Sequence, residues 1–482
     1  MQFFRVSSYW LVAAGFVILG RASLNAQSAP TTHDRPWSSP FEQQIQTQNR
    51  SLPTPKFTVD LHKAYSLAEL VDLAEQHNPD TRFAWERAKA QAAALGVAKS
   101  EWYPVIGALA SGEADRFGLL IDESYIRQTT TTSQLALTLT YAILDFGRTP
   151  HIQQEAAQLL ATDFGFNDIH RKVIYQVEQA YYRVLSTMAQ QEAAEANLAN
   201  AQTVQAAAQE RLTNGLATRP DVLEAQSATA QAQFDLQSAI GAKETARGDL
   251  AAAIGTSASV VISLEPITSL TAPDNINDTV EQLIDRALQQ RPDLLQQVAT
   301  LRAQEAAVKE AHAAYYPKLT VGVVAAPQFL YGFQEQFPVT QTSLLGGSAL
   351  ASLNWTIFDG GARRSNLVQA QANSHAASAQ IDSTRNQIAD EVWRAYSNVK
   401  TAFRQREAAT ALLQSAQESY SAALEAYNYG VRNLLDVTNA QRVLAQARST
   451  DINARTQVLT TLAELAFRTG DLLRTRSNPG KP

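Results

Sequence analysis

The chain writes its landmarks twice, and that duplication narrows the folds open to it more than any other feature. "HNPDTR" at His77 is matched by "QRPDLL" at Gln290, and "SEWYPVIGALA" at Ser100 by "AAYYPKLTVGV" at Ala313. "YAILDFG" at Tyr141 returns as "WTIFDGG" at Trp355, and "VEQAYYRVLS" at Val177 as "VWRAYSNVKT" at Val392. "AAAIG" ending at Gly255 is answered by "LAFRTG" ending at Gly470. The separation barely drifts: Pro104 and Pro317 are 213 residues apart, Asp145 and Asp359 are 214, and Gly215 and Gly430 are 215. Shared helical composition would mimic a repeat without keeping Pro, Asp and Gly in order. Two halves, 64–255 and 277–470, therefore share one plan, with a linker at 256–276 and a tail at 471–482.

Each half reads as helix, strand, loop, strand, very long helix, tight turn, long helix. The first helix spans about Ser66–Ser100, with Pro79 in its early part or at a break. From His151 to Arg219 only the final neighbour, Pro220, ends a proline-free run rich in Ala, Gln, Glu, Leu and Arg, which favour helix. About 65 helical residues reach roughly 100 Å, a length that demands a coiled-coil-like partner. The seam is visible after each turn. Val222, Ala225, Thr229, Ala232, Leu236 and Ala239 follow steps of three and four. Val437, Ala440, Leu444, Ala447, Ala454 and Val458 continue the rhythm in the second half, with Asp451 interrupting. Small side chains along the seam let helices approach closely. A dimeric rod and a ring of antiparallel hairpins both fit.

The turns themselves are "NGLATRPDV" and "YGVRNLLDV". Gly215 and Gly430 suit the left-handed position that ends a helix. Pro220 suits the first turn of the returning helix. Asp221 and Asp436 suit helix N-termini.

Between the helices the period changes. "TSQLALTLTYAILD" sets Leu135, Leu137, Leu139, Tyr141 and Ile143 against Gln134, Ala136, Thr138, Thr140 and Ala142. "SALASLNWTIFD" sets Ala349, Ala351, Leu353, Trp355 and Ile357 against Ser348, Leu350, Ser352, Asn354 and Thr356. Leu319, Val321 and Val323 alternate likewise. Such strands fit a membrane barrel or a half-buried sheet in a soluble domain. Aromatics bunch at the strand ends as an interfacial girdle would: Trp102, Tyr103, Tyr315, Tyr316, Trp355, Phe146 and Phe358. The segments Gly112–Thr130 and Pro327–Gly347 read as long external loops. Four strands cannot close a barrel, and an open edge in lipid leaves backbone groups unsatisfied, so several chains must contribute; three would give twelve strands.

The N-terminus supports a secreted destination. Arg5 precedes a short apolar stretch from Tyr9 to Gly20, and Ala22 and Ala26 offer cleavage points, so 1–26 reads as a signal peptide. Residues 27–63, rich in Pro, Gln, Thr and Ser, read as an extended arm. A net charge of −6 and a pI near 5.7 argue against nucleic acid as a partner. There is no cysteine. The seven histidines are scattered, and no HExxH, GxSxG or phosphate loop occurs, so neither enzyme, metal site nor cofactor is expected. A secreted coiled-coil adhesin or scaffold explains the helices and the signal but not the strands.

Taken in order, the "NPD"/"RPD" elements, the "YP" strand entrances, "DFG"/"DGG" and the two "G…DV" turns resemble the outer-membrane efflux protein family, the TolC-like channels. The resemblance covers about Ala64 to Gly470. It implies an α+β membrane protein: a homotrimer with a twelve-stranded β-barrel in the outer membrane and an α-helical barrel crossing the periplasm. It implies a passive exit duct that docks with a periplasmic adaptor and an inner-membrane pump, for efflux or type I secretion. The turns become the periplasmic tips, where the adaptor would meet Gly215, Leu216, Gly430 and Val431. By position the family's acidic ring falls on Asp436, its latch arginine on Arg432 and that arginine's acidic partner on Asp221. A second acidic position is Asn439 here, while Glu224 stands at the matching place in the first half. Three symmetry-related copies of Asp436 in a narrow pore would attract cations.

Overall fold

The computed structural model describes residues 42–51, 63–121, 124–264, 276, 278–334 and 339–473. The expected signal peptide, most of the linker and most of the tail lie outside the described residues. A first helix, α1 (Glu42–Ser51), belongs to a separate N-terminal unit. The expected extended arm is therefore helical in part. Between Pro40 and Pro53 the segment has no proline and is rich in Gln, which tolerates helix well.

In the main unit the first half runs β1 (Ala64–Tyr65), α2 (Leu67–His77), α3 (Pro79–Ser100), β2 (Val105–Ile121), β3 (Ser124–Leu144), α4 (Arg148–Thr213) and α5 (Arg219–Ile254). After β4 (Ser263–Leu264) the second half repeats the order: α6 (Val280–Gln290), α7 (Pro292–Ala313), β5 (Lys318–Gln334), β6 (Thr340–Asn354), α8 (Ala362–Asn428) and α9 (Leu434–Thr469). The duplication reaches individual hydrogen bonds. Ser66 and Glu69 form a capping box on α2, and Thr279 and Gln282 form the same box on α6.

Proline breaks the first helix of each half. Asn78 and Arg291 take extended backbone ahead of Pro79 and Pro292, as a pre-proline residue favours, and a new helix starts at each proline. Both residues then reach the far end of their own half. The Asn78 side chain donates to the Ala253 carbonyl at 2.9 Å, and Arg291 to the Arg468 carbonyl at 3.4 Å. Gly255 and Gly470, at φ 88° and 85°, end α5 and α9 against these same two residues.

The long helices are 66 residues in α4 and 67 in α8, and each packs along its returning helix. The seam follows the spacing: Val222, Ala225, Val437, Leu444, Ala447, Ala454 and Val458 are buried, while Thr229, Ala232, Leu236, Ala239 and Ala440 are half-buried. Asp451 stays on the seam, buried, held by Arg455 at 2.8 Å and accepting from the Thr410 hydroxyl at 3.4 Å. Across the halves, α4 lies against both α7 and α9. Among the described residues no helix is long and apolar enough to cross a membrane.

One antiparallel sheet runs in the order β2-β3-β5-β6, and β3–β5 joins the two halves. Val105 pairs with Thr140 and Lys318 with Asn354, the same register in both hairpins. The long external loops expected at Gly112–Thr130 and Pro327–Gly347 are not there. Strand instead occupies 112–121 and 124–130 in the first segment and 327–334 and 340–347 in the second, and Ile121 pairs with Ser124. Thr129 and Thr130 read as the polar end of a loop, yet threonine is β-branched and sits well in a strand. Pro327, without an N–H, lies in β5 where its ladder to β3 skips from Gln328 to Ala325.

Candidate functional site: the helical hairpin tips

Each tip is built by one hydrogen-bond pattern. Gly215, at φ 73°, donates to the Leu212 carbonyl at 3.0 Å, and Leu216 donates to Arg211 at 2.8 Å. Gly430, at φ 75°, donates to Tyr427 at 3.0 Å, and Val431 to Ala426 at 2.9 Å. This is a Schellman ending, and it requires the left-handed backbone that glycine adopts without penalty. The returning helices then start from Thr218 and Asn433, and the Asn433 side chain caps its helix by accepting from the Asp436 N–H. Asp221 accepts from the Thr218 N–H at 2.8 Å and its hydroxyl at 2.7 Å, and these bonds hold its carboxyl below the usual aspartate range.

Both tips share one apolar core. Val204, Ala208, Val222 and Ala225 from the first half pack with Tyr420, Tyr427, Leu434 and Val437 from the second. Two polar ties cross between the halves. Arg211 donates to the Asn428 carbonyl at 2.8 Å with its guanidinium 4.2 Å from the Tyr427 ring centre. Thr438 donates to Glu224 at 3.1 Å.

Of the residues singled out from sequence, the structure thus brings Glu224 into a cross-half contact and fixes Asp221 as a cap. Arg432 and Asp221 do not meet within one chain. Arg432 is exposed, and Asp436 is half-buried at the start of α9, its N–H donating to Asn433 at 2.9 Å. Asn439 accepts from Arg442 at 3.1 Å. Leu216 and Val431 project apolar side chains 75% and 78% exposed at matching places on the two tips. Sequence reasoning missed Arg211, Tyr427 and Thr438. The signal was faint: each lies in a helix where the duplicated landmarks put no weight.

At the opposite end of the long helices, aromatic side chains gather where helix gives way to strand. Trp102 lies 4.7 Å from the Arg148 guanidinium, Phe146 is 4.9 Å from Tyr316, and Trp355 donates to the Tyr315 carbonyl at 3.1 Å. Tyr103 stands exposed beside them.

Residues 70–256 and 283–471 match the family described as outer membrane efflux protein. The chain belongs to the outer membrane efflux protein family. It is 28% identical to Protein CyaE of Bordetella pertussis over 421 residues, 86% of each chain. In fold it is similar to a membrane protein from Pseudomonas aeruginosa, at a TM-score of 0.74 and 24% identity, covering 86% of this chain and 99% of that one. The CmeC outer membrane channel of Campylobacter jejuni gives a TM-score of 0.70 at 19% identity, covering 87% and 93%.

Membership makes this an outer-membrane channel protein of the Gram-negative envelope, extending into the periplasm, and places it among channels rather than enzymes. The α+β fold expected from sequence is the one observed. Among the described residues no group of His, Asp and Glu could hold a metal ion.

Proposed function

We propose that the protein is the exit duct of a tripartite export assembly. Three copies join four strands each into a twelve-stranded barrel, and their long helices continue as a tunnel to the tips. The observation that carries this is the sheet: four strands with both outer edges, β2 and β6, unpaired among the described residues, in a family that lives in lipid. Open edges are not tolerated there, so other copies must close them. A periplasmic adaptor docks on the tips, where Leu216 and Val431 supply exposed apolar side chains on Gly215 and Gly430 turns. An inner-membrane pump supplies the energy, since a passive duct has no site for doing so.

Asp436 and Arg432 carry the gate in this reading. Both stand at the second tip without an ion-pair partner for either side chain among the described residues, so both are free to meet another chain. Arg432→Ser or Asp436→Ala raises the conductance of reconstituted channels. Unchanged conductance in both variants places the constriction elsewhere. The assembly itself is tested by the mass of the detergent-extracted protein: three chains are expected, and a water-soluble monomer contradicts the proposal.

A further inference from the structure

The duplication also fixes how one copy meets the next. The two hairpins of the sheet share one register, so Ile126–Thr140 of β3 match the whole of β6 214 positions on, and each residue of β5 has a match 213 positions back in β2. Within the chain, β3 pairs with β5: Leu139 with Val323, Tyr141 with Val321, and Leu144 with Leu319 past a bulge. Carried over by these matches, Leu353 faces Ala110, Trp355 faces Ala108 and Phe358 faces Ile106. In the single chain, however, β6 and β2 are the two opposite edges of the sheet, with two strands between them. Only a second copy can bring them together.

A local difference between the halves agrees with this. β3 continues to Leu144, but β6 stops at Asn354, whose match is Thr140. The residues that would continue it, Trp355 to Phe358, keep the alternating pattern yet form no strand. β3 has β5 beside it over that stretch; the outer side of β6 has no strand beside it among the described residues. Trp355, Ile357 and Phe358 are 61%, 85% and 86% exposed. The edge they would join is equally bare, with Val105, Ile106 and Leu109 all exposed. The long helices repeat the pattern. Gln190 of α4 crosses the halves to the Ser449 carbonyl at 3.2 Å and to Asn453 at 3.1 Å. Its match Gln405, on α8, is exposed, and α8 has no comparable packing against α3 or α5 among the described residues.

We propose that β6 of one chain pairs antiparallel with β2 of a second copy in the register Leu353 to Ala110, and that Trp355–Phe358 folds onto that strand as the continuation of β6. This rests on the trimeric reading above and adds its seam. Repeating one heterologous contact around a ring closes it without leaving an edge. Lipid then meets no unpaired backbone at the base of the barrel.

The absence of cysteine gives a clean test in the full-length chain. Directly opposed residues on antiparallel neighbours hold their Cβ atoms about 4.5–5.5 Å apart, close enough for a short thiol cross-linker. Leu353→Cys with Ala110→Cys reads the register, and Trp355→Cys with Ala108→Cys reads the continued strand. Each pair should give covalent two-chain and three-chain species on denaturing gels. Leu353→Cys with Ala114→Cys, displaced by four residues, should give at least tenfold less. Protein of three-chain mass that cross-links best in the displaced pair overturns the register. Linkage at 353/110 without linkage at 355/108 overturns the continued strand. Wild-type protein of one-chain mass overturns the trimeric reading itself, and the seam with it.

Discussion

Asn78 and Arg291 occupy the same place in the two halves and solve the same problem with different chemistry. Each must tie a proline-broken helix to the end of its half. The first half does it with one neutral amide. The second builds a charged cluster: Arg291 holds Asp293 at 2.6 Å and Glu391 at 2.7 Å, and Arg468 reaches Glu391 at 3.1 Å. In the first half Asp80 matches Asp293, but Gln176 and Ala253, which match Glu391 and Arg468, carry no charge. Burial alone would raise the Asp293 and Glu391 carboxyls, but the hydrogen bonds and charge of Arg291 hold both below the usual range. Because the folded values lie below the unfolded ones, this stabilisation is complete above about pH 4.3. It is lost as the pH falls through the folded values. Glu391→Ala leaves Arg291, whose side chain is 5% exposed, without one of its acids and should cost about 3–5 kcal/mol in thermal or denaturant unfolding at neutral pH. Glu391→Gln should also flatten the acid limb of the stability profile. At the tips, Gly430→Ala meets no neighbouring atom, so its cost is the backbone strain alone, about 1–2 kcal/mol. The glycines were legible from sequence because a helix must end somewhere and few residues turn left-handed. The Arg291 cluster was not, because its members come from three helices and the junction before one of them and have no shared spacing.

At the scale of elements, what period could express was readable. The three-and-four rhythm placed Val222, Val437 and Leu444 on the seam, where they are buried. Leu444→Ala should cost about 2–5 kcal/mol, measured by denaturant unfolding, because close-packed helices cannot collapse onto the vacancy. Asp451 breaks the rhythm without leaving the seam, since Arg455 and Thr410 satisfy it there. Strand limits were where the reading failed. Thr129 and Thr130 read as loop by their polarity, but they lie inside β3, where β-branched threonine fits and polarity does not end a strand. Proline marked real boundaries at Pro79 and Pro292 and a false one at Pro327. The difference is the partner: a helix loses its path at proline, whereas a strand loses one rung of one ladder.

The whole molecule is one plan used twice, and the count of strands is what turns a chain into a channel. Fold and family were legible because Pro, Asp and Gly landmarks survive in order at nearly constant separation. The roles of Asp436, Arg432 and Asp221 were not, because a gate formed around a threefold axis involves contacts that a single chain does not make. Within the chain Asp221 is a helix cap, so Asp221→Ala should lower stability by about 1 kcal/mol. The most direct test of the central claim is single-channel recording of the purified protein in planar lipid bilayers. The account predicts discrete, long-lived, cation-selective conductance steps. Protein that inserts and conducts nothing, or that never partitions into the bilayer, would contradict it.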